Sequence, residues 1–353
     1  MRILVLGATG YVGSRLVPAL LAAGHRVVAA SSSVPDPDRF AWGAEVDWAR
    51  CDVTDTDAVR AALAQGGQGV EGVCYLVHSL DQRSFSDRDR RGASVLRDAV
   101  RETSGVRRIV YLSGLVPGVP EDELSAHLGS RHEVERILAE AQRPDCSVLT
   151  LRAGVVVGAG STSYEVIRQL ASLLPVHLLP PWLHHRVQPI AISDVLRAIV
   201  EGFGRDAASG VLDIGGPDLV SYATLLAECT RAAGLRRLRI PAVNVPTPLA
   251  GLGAAVAVAA PFNTVTALIA SLRHDMVCRP GHTWTPRDGV PPLALREALA
   301  RCREPAGSVP EAPLSSDAAW TRVRAPVLDE LHAPAALRAG VSLALHRARS
   351  LLR

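Results

Sequence analysis

The chain has 353 residues, 48% of them hydrophobic, 4% aromatic and 21% charged, with a net charge of +3. That allows one large domain or two modest ones, with a core built on Ala, Val and Leu. The small, interspersed charge argues against a nucleic-acid face, and six scattered cysteines without CxxC or Cys/His spacing argue against a zinc site.

Along the first 150 residues, short apolar runs alternate with helical patterns. RILVLG predicts a strand, GSRLVPALLAAG a helix ending at Gly24, and HRVVAAS the next strand. WARCDVTD holds a short strand, and DTDAVRAALAQG is a helix capped by Asp or Thr. GVCYLVHS, VRRIVYLSG and CSVLTLRAGVVVG predict further strands, separated by the helices RDRRGASVLRDAVRETSG and SAHLGSRHEVERILAEAQ. This rhythm is that of βαβ units around a parallel sheet, and the near-continuous apolar strands fit a sheet covered on both faces. The expectation is an α/β Rossmann-type, doubly wound fold with a smaller interleaved C-terminal substrate lobe.

Residues 1–157 are expected to form the dinucleotide-binding domain and 158–302 the lobe, interleaved with the sheet edge. Residues 303–326, rich in Pro, Ser and Ala, read as a linker, and 327–353 as a basic helical tail that docks on the body or on another copy. No signal peptide is visible. The charge-free stretch from Leu249 to Leu272 exceeds 18 residues, but Pro261 and Asn263 interrupt it. It reads as buried or cleft-lining helices, with peripheral membrane contact the lesser alternative. The dispersed cysteines suit a reduced, cytoplasmic setting, and the Ala/Arg-rich composition suggests a bacterial source. Monomer and homodimer both remain open.

The sharpest motif is GATGYVG, with Gly7, Gly10 and Gly13 spaced GxxGxxG between a predicted strand and helix. Glycine there tolerates positive φ and lets backbone amides approach a pyrophosphate, which the helix N-terminus attracts. Thr9, Tyr11 and Val12 lie in the same loop.

These residues resemble the extended and atypical short-chain dehydrogenase/reductase superfamily. Further matches occur in order: CDVTD, YLVHS, YLSG, LRAGVVVG, QPIAISDVLRAI and LDIGGPDLVSYATLL, together spanning roughly residues 1 to 300. Within the superfamily the chain looks most like the NmrA-like NAD(P)H-binding subgroup. The resemblance implies that Asp52 binds the adenine amino group, that Val53 packs on the ring, and that Val77 and His78 lie against the adenosine ribose. It also implies that Ser113 is the catalytic hydroxyl.

The second predicted strand ends in Ser31, Ser32 and Ser33, where NAD sites usually carry an acid that binds both ribose hydroxyls. No carboxylate follows until Asp36. Ser31 and Ser32 would accommodate a 2′-phosphate and Arg15 would add charge, so NADP is the expected cofactor, with NAD possible.

The superfamily's Tyr-x-x-x-Lys pair is absent, and the chain contains no lysine. At the expected distance after Ser113 stand His127 and Arg131, with the spacing of the missing pair. One helical turn puts both on one face. His127 would carry the proton and Arg131 would hold the nicotinamide ribose; no metal is expected. The plainer reading makes them an ordinary helix start capped by Ser125. Arg152 would lie near the cleft or form a structural ion pair, and Trp182, His184, His185 and Arg186 would line a pocket.

Two functions follow. One is an oxidoreductase reducing a carbonyl or activated double bond of an apolar small molecule. The other is a non-catalytic NADP(H) sensor or assembly protein acting through a protein partner. A nucleotide-sugar epimerase or dehydratase is a third, less favoured reading, because those proteins usually keep the tyrosine and lysine.

Overall fold

A computed structural model describes residues 1–33, 36–65, 69–78, 85–174, 176–242 and 246–322. The first half alternates strand and helix as the periodicity predicts: β1 (Arg2–Leu6), α1 (Tyr11–Ala22), β2 (Arg26–Ser31), β3 (Asp47–Arg50), α2 (Thr56–Ala64), β4 (Gly72–Tyr75), α3 (Phe85–Glu102), β5 (Arg108–Gly114), α4 (Ala126–Ala139) and β6 (Ser147–Ala153). Asp55 caps α2 by accepting from the amides of Asp57 and Ala58, and Ser125 caps α4 by accepting from Leu128 N.

The second half is more irregular. It contains β7 (Val156–Val157), α5 (Thr162–Leu173), β8 (Val176–Leu179), β9 (Arg186–Val187), β10 (Ile190–Ala191), α6 (Ile192–Gly202), β11 (Gly210–Ile214), β12 (Val220–Ser221), α7 (Tyr222–Ala232), β13 (Leu238–Pro241), α8 (Thr247–Ala257), α9 (Phe262–Ala270) and α10 (Leu295–Arg301). β11 returns to the main sheet beside β6, so the chain builds the seventh strand from within the segment expected to be lobe. The sheet order is β11-β6-β5-β4-β1-β2-β3, and every pairing in it is parallel. The order reverses between β1 and β4, where doubly wound sheets open a ligand crevice at the strands' carboxyl ends.

Side chains alternate across the sheet, and both faces are apolar. Leu4, Leu6, Val73, Tyr75, Ile109 and Tyr111 bury against the α2, α3 and α4 layer. Ile3, Val5, Cys74, Val110 and Leu149 bury against α1 and α6. The apolar stretch read as buried or cleft-lining helices forms α8 and α9, where Ala255, Val258, Val265 and Ile269 pack with Val166 of α5. Among the described residues no helix is long and apolar enough to cross a membrane. All six cysteines are free thiols.

The described part of the 303–326 segment is no free linker. Glu311 and Ala312 are fully buried, and residues 310–317 wrap the start of α1. There the buried Arg15 guanidinium draws acceptors from Pro310 O, Ala312 O and the Asp317 carboxylate. A buried cation needs such partners, which is why a stretch with linker-like composition is fixed in place. The predicted C-terminal helix lies outside the described residues.

Candidate active site

The glycine loop has the geometry the cofactor requires. Gly7 sits at φ +89°, a left-handed conformation that favours glycine. A Cβ on Gly13 would lie 2.2 Å from Gly7 O, so helix and loop approach too closely for any side chain. Gly10 is the N-cap of α1; no side chain caps that end and its first turn carries no acid. The helix N-terminus is therefore left to an anion, and the loop fits a dinucleotide pyrophosphate. Thr9 and Val12 are half-buried beside it.

Two side chains expected at the cofactor, Arg15 and Tyr11, are used otherwise, and a third, the partly exposed Asp52, has protein partners of its own. Arg15 is not available to a 2′-phosphate. Its five nitrogen-borne hydrogens meet Asp317 and the carbonyls of Pro310, Ala159, Ala312 and Tyr11. The Tyr11 ring lies 4.3 Å below that guanidinium, and its hydroxyl points at Gly158, where a Cβ would come within 2.2 Å of it. Only the Tyr11 backbone remains for the pyrophosphate; burial pushes its phenol well above the usual range. Asp52 accepts from Thr54 N, Thr54 Oγ1 and both ways from Arg88 Nη2. Val53 is buried against Gly92 of α3.

At the end of β2, Ser31 is buried, with its hydroxyl 3.4 Å from Ser33 Oγ. Ser32 and Ser33 are exposed. The register partner of Ser31 on β3 is the exposed Arg50, a cation that the serine-based reading overlooked.

The candidate catalytic residues gather where β4 and β5 stop. Tyr111 and Ser113 share one face of β5, and the Tyr111 hydroxyl reaches Arg131 O on α4 at 3.5 Å, so this is the face that α4 covers. Ser113 Oγ is buried with no well-formed hydrogen bond, and the Tyr111 phenol is the side chain that bears on it. Arg131 Nη1 reaches back to Leu112 O at 3.4 Å, and its Nε is buried without a partner. A Cβ on Gly114 would stand 3.6 Å from Arg131 Cδ.

His127 lies one turn before Arg131 and is 8% exposed. Its Nδ1 is 3.0 Å from His78 Nε2, and His78 Nδ1 is 2.8 Å from Asp89 Oδ2. Ser130 Oγ donates to the same Asp89 oxygen at 3.3 Å. Burial, with Arg131 and His78 nearby, holds the His127 pKa well below the ordinary imidazole value, so the ring is neutral.

With Asp89 as a carboxylate and His78 neutral, His78 Nδ1 donates to Asp89, His78 Nε2 accepts from His127 Nδ1, and His127 Nε2 keeps its lone pair; a second proton on His78 reverses the His78–His127 bond.

His78, expected to lie against the adenosine ribose, is the middle of a hydrogen-bonded chain, and Asp89 is the member the sequence reading missed. A signal for it exists. Asp89 falls at helical spacing with Ala93, Leu96 and Val100, all fully buried, so it is an acid in the apolar stripe of α3.

Arg152 belongs to a buried ion pair, with Nε 2.9 Å and Nη2 2.8 Å from the Glu135 carboxylate. Arg186 and His185 both turn to Asp275, while Trp182 and His184 lie in a single 3-10 turn. Among the described residues no cluster of metal-ligating side chains forms.

The sequence profile of the NAD dependent epimerase/dehydratase family matches residues 3–200. This family lies within the extended short-chain dehydrogenase/reductase superfamily; nothing in the match supports the narrower NmrA-like placement. UDP-glucose 4-epimerase of Neisseria meningitidis serogroup C is 30% identical over 206 residues, 51% of this chain and 59% of that enzyme. The chain thus spans less than two thirds of that relative. Among solved structures, Thermotoga maritima UDP-glucose 4-epimerase with UDP-glucose has a TM-score of 0.61 at 16% identity, over 85% of this chain and 96% of the other. Thermus thermophilus UDP-glucose 4-epimerase in complex with NAD has a TM-score of 0.55 at 21% identity, over 77% and 99%. At these identities the two structures show a shared fold.

Proposed function

Because the chain belongs to the NAD dependent epimerase/dehydratase family, we propose that it is a dinucleotide-dependent oxidoreductase acting on a secondary alcohol or its ketone. In this reading His127 replaces the missing tyrosine. The observation that carries the proposal is the Asp89–His78–His127 chain, whose last member stands on the helix that covers the Tyr111–Ser113 face of β5. A nicotinamide dinucleotide, when bound, supplies the hydride acceptor or donor.

In the oxidative direction His127 Nε2 takes the substrate hydroxyl proton. The Nδ1 proton of His127 passes to His78 Nε2, and the positive charge comes to rest on His78 beside the Asp89 carboxylate. Reduction runs the same transfers backwards and delivers a proton to the carbonyl oxygen. Ser113 donates a hydrogen bond to that oxygen. Arg131 holds the ribose hydroxyls where other members use lysine. A proton carrier of this kind contributes about 100- to 10,000-fold in rate.

The dinucleotide proposed is NADP, held at its pyrophosphate by the backbone from Gly7 to Gly13. The support is the end of β2, where Ser32 and Ser33 are exposed, no acid stands at the strand terminus and Arg50 is the neighbouring cation.

The test is rapid-mixing oxidation of NADPH and NADH against a panel of ketones, quinones and enones. The expected result is turnover that falls about 100-fold or more in His127→Ala while dinucleotide binding persists. Undiminished turnover in that variant would overturn the assignment of His127.

A further inference from the structure

A second concave site lies away from the crevice, on β8, α7 and β13, none of which carries a candidate catalytic or cofactor residue. It is a pocket of about 320 Å3, lined among others by His177, Thr230, Arg231, Arg236, Arg237 and Arg239. His177 and Arg239 are register partners on the parallel pair β8–β13, so they share one face. His177 is 2% exposed; its ring nitrogens make no well-formed hydrogen bond, and the backbone carbonyls of Ala171 and Leu170 are the acceptors that bear on it.

The charge here is one-sided. Arg231 bonds Glu228, but Glu228 also serves Arg296. Arg237 donates only to the carbonyls of Arg236 and Ser172, its Nε is buried without a partner, and Arg239 donates only to Ala223 O. The Arg236 side chain makes no hydrogen bond to a described residue. Among the described residues, Arg236, Arg237 and Arg239 have no carboxylate within ion-pair distance. Three guanidiniums held together without acids repel one another, and a buried imidazole with only poorly aligned backbone acceptors has hydrogen-bonding capacity unused. An oxyanion relieves both at once, since the guanidinium fork matches tetrahedral phosphate oxygens.

We propose that this pocket binds a phosphate group, with Arg236, Arg237 and Arg239 neutralising it and an N–H of His177 donating to it from the floor. The opposite face of the same two strands exposes Leu178, Leu238 and Ile240. A soluble phosphate ester and a lipid headgroup present the same chemistry here, so the test has an arm for each.

The full chain is titrated with pyrophosphate, and separately with phosphatidylcholine vesicles with and without phosphatidic acid. The imidazole NMR signals are followed, that of His177 being assigned by His177→Gln. Arg236→Gln/Arg239→Gln is the test variant, and Arg236→Gln alone, which breaks no bond in the structure, guards against misfolding. A shift of the His177 signal by pyrophosphate, with affinity falling about tenfold or more in the double variant, supports the site with a soluble ligand. The same shift and the same loss with phosphatidic acid vesicles but not pyrophosphate support it with a lipid ligand. A His177 signal that moves with neither, an affinity unchanged in the variants, or shifts confined to His78 and His127 would overturn it.

Discussion

Arg15 and Asp317, 302 residues apart, meet fork to fork, Nη1 to Oδ1 at 2.7 Å and Nη2 to Oδ2 at 2.9 Å, with each side chain 2% exposed. The pair ties the helix after the glycine loop to the far end of the described chain. Gly160, at φ +91°, makes room for it, since a Cβ there would stand 2.4 Å from Asp317 Cγ. Asp317→Ala would leave a buried guanidinium with carbonyl acceptors only. The expected loss is about 3–5 kcal/mol, read as a lowered urea midpoint, while Arg15→Met/Asp317→Leu should recover much of it. A loss below about 1 kcal/mol would place the pair with weak surface bridges.

Gly13→Ala tests the loop directly. The new methyl would meet Gly7 O at 2.2 Å and Ala8 Cα at 2.7 Å, both backbone atoms that cannot swing away. Calorimetry should show dinucleotide binding abolished, with stability lowered by about 1–3 kcal/mol. Gly129→Ala is the control. It sits inside α4 with nothing near its missing Cβ, so it should gain up to about 1 kcal/mol. Normal binding in Gly13→Ala would mean that the loop opens more freely than its contacts imply.

What was legible in the sequence was local. The period-two and period-3.6 patterns and the glycine spacing mark β1, α1 and the parallel sheet, because these depend on residues within a turn or two of each other. The His127–Arg131 spacing was legible for the same reason. Arg15 was not. Two residues after a phosphate-binding glycine a cation reads as a ligand contact, and its true partner lies in a segment with the composition of a linker. Asp89 was obscured by the charged run Asp87, Arg88, Arg90 and Arg91 around it. Only its phase relative to Ala93 and Leu96 separates it from its solvated neighbours. The return of the seventh strand, β11, beside β6 depends on long-range pairing that no local pattern encodes.

Ser32→Asp tests the cofactor preference. A carboxylate at the exposed end of β2 would repel a 2′-phosphate and offer acceptors to free ribose hydroxyls. Fluorescence titration should show NADPH affinity falling about tenfold or more, the size of one lost charge-assisted contact plus repulsion, with NADH affinity held or improved. Equal weakening of both dinucleotides would point to damage to the loop rather than to lost discrimination.

The depressed pKa of His127 has two consequences with opposite uses of the same proton. In the unfolded chain the ring titrates at the ordinary 6.5, whereas burial, Arg131 and His78 keep the folded ring neutral to much lower pH. Between the lowered value and 6.5 the unfolded state therefore binds more protons. Stability should rise with pH across that window and level off above it. His127→Gln should flatten this slope in urea denaturation measured at several pH values. For catalysis the neutral ring is the working base, so its acid limb should lie below 6.5 rather than at it. Asp89→Asn should lower kcat about 100-fold with little change in KM, because the proton arriving on His78 would lose the Asp89 countercharge. A pH slope of stability that survives His127→Gln would assign the buried, titrating proton to another group.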